Sequence, residues 1–252
     1  MDQPLLGRRI IVTGAATGIG RAAVTVFAAA GADVAATHHT TPPPPELAEA
    51  ARWFPCDVRD RAAVDATFAA MAESMGGLDV LLHAAGLWLP STPDDLTEDE
   101  LDFLLATNVK ATVFANQAAF RHLRDHGGRI LNLGSCEAAT GNPFAPIYAL
   151  TKGAVHAWTR TAARAWGRHG ITVNSLAPAV ETPGADRVRA HVGPEGAAAL
   201  EQQIEQVVVI GGRLGDPVRD LGPMLVFMAG EGSRFITGQL LAVDGGVMMV
   251  GA

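Results

Sequence analysis

Short runs of β-branched and apolar residues alternate with alanine-rich stretches of helical spacing along the chain, and this alternation limits the fold more than any other feature. The runs RRIIVTG, ADVAAT, RWFPCDV, LDVLLHAAG, GRILNLGS, ITVNSLAP and QLLAVDGG predict seven strands. Between them, apolar positions recur at helical spacing in residues 18–30, 60–75, 98–124, 147–168 and 217–229. Strand, helix and strand in steady succession pair in parallel through right-handed crossovers, with helices covering both sheet faces. The expected fold class is therefore α/β, a doubly wound parallel sheet of seven strands flanked by helices, as one domain over residues 1–252. Ligands of such a sheet lie at the carboxyl ends of its strands.

Two segments interrupt the rhythm. TTPPPPE at 40–46 can continue neither a strand nor a helix and reads as a rigid surface turn after the second strand. Residues 179–215 carry Pro183, Gly184, Gly193, Pro194, Gly196, Gly211 and Gly212 around a short amphipathic piece at 195–209, and an insertion of that length is expected to serve as a lid. Composition supports a packed core, with 48% hydrophobic and 18% charged residues. The 19 Lys and Arg against 26 Asp and Glu give a net charge of -7, which leaves no broad basic face and argues against a nucleic-acid partner. The acid at Asp2 and the short apolar stretch behind it do not match a secretory leader, and no run reaches membrane-spanning length. A cytoplasmic protein without a membrane partner is expected. Cys56 and Cys136 lack metal-ligand spacing, so both are read as small buried hydrophobes and no metal is expected.

The first strand runs directly into Thr13-Gly14-Ala15-Ala16-Thr17-Gly18-Ile19-Gly20 and then a helix. Glycines in a strand-turn-helix context let the backbone approach a pyrophosphate, and the helix start offers unpaired N–H groups and the positive end of its dipole. Gly14, Thr17, Gly18, Ile19 and Gly20 are thus candidate dinucleotide-binding residues, which makes the sheet Rossmann-like. An acid at the end of strand two would accept hydrogen bonds from an adenosine ribose and repel a 2'-phosphate. Thr37-His38-His39 stands there instead, and a protonated imidazole can donate to a phosphate. This favours NADP(H) slightly and leaves NAD(H) open.

Tyr148 and Lys152 are four residues apart on a predicted helix and so share one face. A cation beside a phenol favours the phenolate, so the expectation is a phenol moved down from about pH 10 toward the range useful for general acid/base work. Tyr148 is the only tyrosine in the chain.

The spacing T-G-x-x-x-G-x-G resembles that of the short-chain dehydrogenase/reductase family, in its compact single-domain branch, and further matches extend across nearly the whole chain. Cys56-Asp57-Val58 looks like the family's turn that touches adenine, His83-Ala84-Ala85-Gly86 falls where N-N-A-G is usual, and the ending RLGDPVRDLGPMLVFMAGEGSRFITGQLLAVDGG is similar to the family's carboxyl end. The resemblance implies that Thr37, His38, Asp57, Val58, Ala85, Gly86, Tyr148, Lys152, Pro178, Val180 and Thr182 meet the cofactor. It implies a catalytic set of Asn108, Ser135, Tyr148 and Lys152. Ser135 precedes Tyr148 by the thirteen residues (148 - 135) expected of the family pair, and its hydroxyl would stabilise charge developing on the reacting oxygen.

Three departures stand out. Gly134 replaces a usual Ser, His83-Ala84 replaces two asparagines, and Pro178-Ala179-Val180-Glu181-Thr182 lacks a glycine of the usual motif. Residues after Ser135, those before Tyr148 and the lid normally face the substrate, which nominates Trp88, Cys136, Glu137, Asn142, Phe144 and residues 183–210. Phe144 and Trp88 would form an apolar wall, and Glu137 would bond a hydroxyl or attract an amine. The implied activity is hydride transfer between a nicotinamide and a small-molecule ketone or secondary alcohol, in a homotetramer. A 3-oxoacyl thioester reductase is the alternative within enzymes, and a nonenzymatic dinucleotide sensor the rival outside them.

Overall fold

The computed structural model describes residues 3–249. In chain order the elements are β1 (Arg9–Thr13), α1 (Gly18–Ala29), β2 (Asp33–His38), β3 (Arg52–Pro55), α2 (Arg61–Met75), β4 (Val80–His83), α3 (Glu98–Leu104) and α4 (Ala111–Leu123). They continue as β5 (Gly128–Leu133), α5 (Glu137–Thr140), α6 (Pro146–Trp166), β6 (Ile171–Pro178), α7 (Pro183–Val207), α8 (Gly222–Ala229) and β7 (Leu240–Val243). All seven strands pair in parallel in the order β3-β2-β1-β4-β5-β6-β7. The order reverses between β1 and β4, where crossovers leave to opposite sides and a crevice opens.

Both faces of the sheet are covered, which is why its strands read as continuous apolar runs. Ile10 and Val12 of β1 pack with Phe27, Leu225 and Met228 beneath α1 and α8, whereas Ile11 between them packs with Phe68, Met71 and Leu123 beneath α2 and α4. Helix ends are set by local chemistry. Asp60 accepts from Ala62 N and Ala63 N to start α2, and Gly76 closes it in the left-handed region at φ 72°. Thr97 and Glu100 form a reciprocal capping box at α3.

The stretch expected as one helix over 98–124 is split by a π-helical turn at Leu105–Lys110, which places Asn108 inward. In residues 179–215 the amphipathic piece expected at 195–209 belongs to a longer helix, α7. Thr182 caps its start through Ala185 N at 3.3 Å, Pro183 takes the first position, and Gly193 bends it at φ 70° before Pro194 resumes. Pro183 and Pro194, expected to bracket that piece, instead begin helical turns, where their missing N–H costs nothing. The turn after β2 contains a single 3-10 turn, Pro45–Leu47. Among the described residues no helix is long and apolar enough to cross a membrane.

Candidate active site

The carboxyl ends of the strands open into one cleft of 510 Å³. Its floor is the turn after β1, held from two neighbouring strands. Thr37 Oγ1 of β2 accepts from Gly14 N at 3.2 Å, and Thr13 Oγ1 lies 2.9 Å from His83 Nδ1 of β4 while accepting from Ala85 N. Gly14 has φ +62°, and a Cβ there would stand 2.7 Å from the Ala85 backbone. The amino terminus of α1 faces the cleft with no side-chain cap at Thr17, so its first N–H groups remain available to an anion such as a pyrophosphate. The cradle therefore fits a dinucleotide.

Of the residues predicted to meet the cofactor, Gly14, Thr17, Gly18, Ile19, Thr37, His38, Asp57, Val58, Ala85, Gly86, Tyr148, Lys152, Pro178, Val180 and Thr182 line this cleft. Gly20 does not. It lies under the turn, where a Cβ would meet the Gly14 carbonyl oxygen at 2.3 Å, so close backbone packing accounts for this glycine. The shortened 178–182 segment is pinned by Gly215, whose N donates to Ala179 O at 3.0 Å and whose O accepts from Glu181 N at 2.9 Å.

One end of the cleft is solvated and charged. Arg59 grips Asp57 through Nε at 2.9 Å and Nη2 at 2.7 Å, and these bonds hold the Asp57 carboxyl down at about 2. His39 Nε2 lies 3.8 Å from the same carboxylate. The residues at the end of β2 that face this corner include no acid.

The other end is enclosed. Ser135 follows β5 and is 8% exposed. Tyr148 and Lys152 enter from α6, with Lys152 Nζ donating to Leu133 O at 2.8 Å and standing 5.4 Å from the centre of the Tyr148 ring. Burial pushes the Tyr148 phenol up, and the Glu137 charge adds to that, while the Ser135 hydroxyl opposes it through a hydrogen bond. Burial brings the Lys152 ammonium down to about 8. Against the expectation of a lowered phenol, the protein's own groups raise it, with burial the largest cause.

Asn108 lies behind the cleft lining and serves its neighbours. Its Oδ1 accepts from Leu87 N at 2.8 Å, and its Nδ2 donates to Leu87 O at 2.9 Å and Thr151 Oγ1 at 3.1 Å, tying β4's exit loop to α6. Two buried histidines flank the lysine. His83 is driven down to about 3 by burial and then by Lys152, and His156, one turn after Lys152, down to about 4 for the same reasons. His156 also explains Gly134: a Cβ at that position would stand 2.3 Å from its Nε2, which lies 3.4 Å from Ser135 N.

Among the residues predicted to face a substrate, Trp88 lines the cleft. Cys136, Glu137, Asn142 and Phe144 do not line it; the first three are partly buried and Phe144 is 68% exposed. The cause is α5, which starts at Glu137 and turns the chain away directly after Ser135. Cys136 is accordingly less enclosed than Cys56, and both thiols are raised by burial.

Sequence reasoning missed Arg59 and Phe103 in the cleft wall and His156 behind it, whereas Pro183, Gly184 and Arg187 of the nominated segment 183–210 do line the cleft. Arg59 carried a signal in the Asp-Val-Arg spacing, and His156 in its four-residue step from Lys152.

Comparisons with known proteins agree along the chain. A family model described as enoyl-(acyl carrier protein) reductase matches residues 14–248. The short-chain reductase protein NovJ of Streptomyces niveus is 35% identical over 94% of this chain and 92% of its own length. The 3-oxoacyl-[acyl-carrier-protein] reductase FabG of Vibrio harveyi is 32% identical over 98% of this chain and 99% of its own. The solved structure of a dehydrogenase/reductase from Sinorhizobium meliloti 1021 superposes with a TM-score of 0.85 at 31% identity, covering 98% of each chain.

Proposed function

The chain belongs to the short-chain dehydrogenase/reductase family and is an NAD(P)-dependent oxidoreductase of C=O and CH–OH groups, and from that premise we propose that Tyr148 is its general acid/base. The observation that carries this reading is the convergence of Ser135, Tyr148 and Lys152 in one enclosed end of a cleft whose floor offers an open helix amino terminus. When bound, the nicotinamide ring supplies or accepts the hydride. In the reducing direction Tyr148 gives its proton to the oxygen that gains charge, and Ser135 Oγ donates a hydrogen bond to that oxygen. Lys152 places a positive charge beside the phenol, so that proton loss leaves a compensated pair. Asn108 holds the loop and helix that set this geometry. His83 and His156 stay neutral near pH 7 and leave that charge to Lys152.

NADP(H) is favoured over NAD(H), because the end of β2 offers Thr37, His38 and His39 in place of an acid, and the nearest carboxylate, Asp57, is already held by Arg59. The whole chain forms one domain in which 179–215 closes over the substrate. Unpaired Cys56 and Cys136 suit a cytoplasmic enzyme, and exposed Leu150 on α6 suits burial between subunits of a homotetramer. A 3-oxoacyl thioester substrate is the second reading, favoured by the printed name of the Vibrio harveyi relative. Ketone-dependent oxidation of NADPH tests the proposal. Turnover with simple or cyclic ketones supports it, turnover restricted to 3-oxoacyl thioesters favours the second reading, and binding without turnover of any of them marks a sensor.

A further inference from the structure

At the amino ends of the strands, opposite the cleft, three arginines gather around one carboxylate in a chain whose net charge is -7. A second cavity of 400 Å³ opens there, lined by Arg8, by Arg129 of β5, and by Glu231 and Arg234 from the turn between α8 and β7. Asp79 also lines it but is already gripped by Arg9, through Nε at 2.9 Å and Nη2 at 2.8 Å. Arg129 is the least solvated of the three arginines, with its side chain 8% exposed. Its Nη1 donates to Gly128 O at 3.1 Å, its Nη2 reaches Glu231 Oε2 at 3.5 Å, and its enclosed Nε has no partner. Arg8 Nη2 takes the same Glu231 oxygen at the shorter distance of 2.9 Å. Arg234 forms no ion pair among the described residues. Burial lowers the Arg129 guanidinium from its ordinary value, Glu231 opposes this, and the charges of Arg8 and Arg234 lower it further. The cavity wall thus holds more donors than acceptors, and a buried cation with unfilled donors costs free energy that an arriving acceptor recovers.

We propose that this cavity is a second binding site, separate from the cleft, for a small phosphate-bearing anion, either free phosphate or the head of a monoester. Planar guanidinium groups present paired N–H donors that match phosphate oxygens, and the resulting charge-assisted bonds are stronger than neutral ones. A tetrahedral anion offers several oxygens, enough for Arg129 and Arg234 together while Arg8 keeps Glu231. Because Arg129 belongs to β5 and Arg234 to the turn before β7, the bound anion ties strand to turn and adds to folding stability.

The test uses the full chain saturated with NADPH, so that the glycine turn is occupied, at an ionic strength held constant with chloride. Inorganic phosphate and glycerol phosphate are titrated by calorimetry, and thermal unfolding is followed alongside. Saturable binding and a Tm that rises with phosphate concentration are expected, with acetate producing neither. Arg234→Glu reverses a charge at the exposed rim and weakens phosphate binding about tenfold or more, while ketone turnover stays within about twofold of wild type. Arg129→Met abolishes binding, and where that variant fails to fold, Arg234→Glu alone decides. Tighter binding of glycerol phosphate assigns the site to a monoester, and tighter binding of inorganic phosphate assigns it to the free ion. No saturable binding to the wild type, an equal response to acetate, or an unchanged phosphate affinity in Arg234→Glu overturns the assignment. Loss of ketone turnover in Arg234→Glu overturns it too, because the residue would then act on the cleft.

Discussion

The two ends of the cleft use similar residues in opposite ways. Near the end of β2, charge lies in water: the Asp57 and His39 side chains are 30% and 52% exposed, and Asp57 is matched by Arg59 at 2.7 Å. Near Ser135 the titratable groups are buried: Lys152, His83 and His156 are 6%, 2% and 8% exposed, and none has an ionic partner among the described residues. Solvated pairs of the first kind are each worth little and can be exchanged to tune which dinucleotide is held. At the second end, missing water decides protonation. It lowers Lys152 and both histidines and raises Tyr148, which is the condition under which a proton can be kept ready to move.

The largest effect that separates the two ends is on acid stability. His83 and His156 have folded values of about 3 and about 4, below the ordinary 6.5, so between those values the unfolded chain binds more protons. Stability contributed by the neutral buried rings is complete above about pH 6.5 and is lost as pH falls toward 4, by up to about 1.4 kcal/mol per pH unit for each histidine. Urea unfolding of wild type, His83→Asn and His156→Asn at pH 7 and pH 5 measures it. Each variant is expected to be less stable at pH 7 and to lose less on acidification. An equal loss in all three breaks the contrast drawn between the ends.

A smaller effect belongs to the solvated end. His38→Asp introduces a carboxylate that accepts from a ribose diol and repels a 2'-phosphate. The ratio of kcat/KM for NADPH to that for NADH is expected to fall about tenfold, equivalent to about 1.4 kcal/mol, with folding stability little changed. An unaltered ratio would show that this corner does not meet the adenosine ribose. Smaller again is the effect of Arg59→Ala on stability, about 1 kcal/mol or less in denaturant unfolding, because the pair it breaks is exposed. A loss of several kcal/mol there would mean that the solvated end is not solvated.

Sequence made the sheet, the glycine turn and the Tyr148–Lys152 pair legible because their signals are local. Continuous apolar runs mark strands buried on both faces, the glycine spacing marks the turn, and a four-residue step puts Tyr148 and Lys152 on one helix face. The enclosed end depends on contacts between distant segments. Gly134 is explained by His156 and Ser175, 22 and 41 residues on (156 - 134 and 175 - 134), and the rise of the phenol chiefly by burial that no spacing displays. Nor could spacing tell that α5 would turn Glu137 and Cys136 out of the cleft lining, or that Pro183 and Pro194 would start helical turns.

The central claim is that the enclosed end moves a proton through Tyr148 while the floor of the cleft holds the dinucleotide independently. Tyr148→Phe, with dinucleotide affinity and ketone turnover measured on the same protein, tests it most directly. Binding within about twofold of wild type together with a turnover loss of about 10²-fold or more is the expected result, since the ring remains and only the transferable proton is gone. Undiminished turnover in that variant would contradict the account.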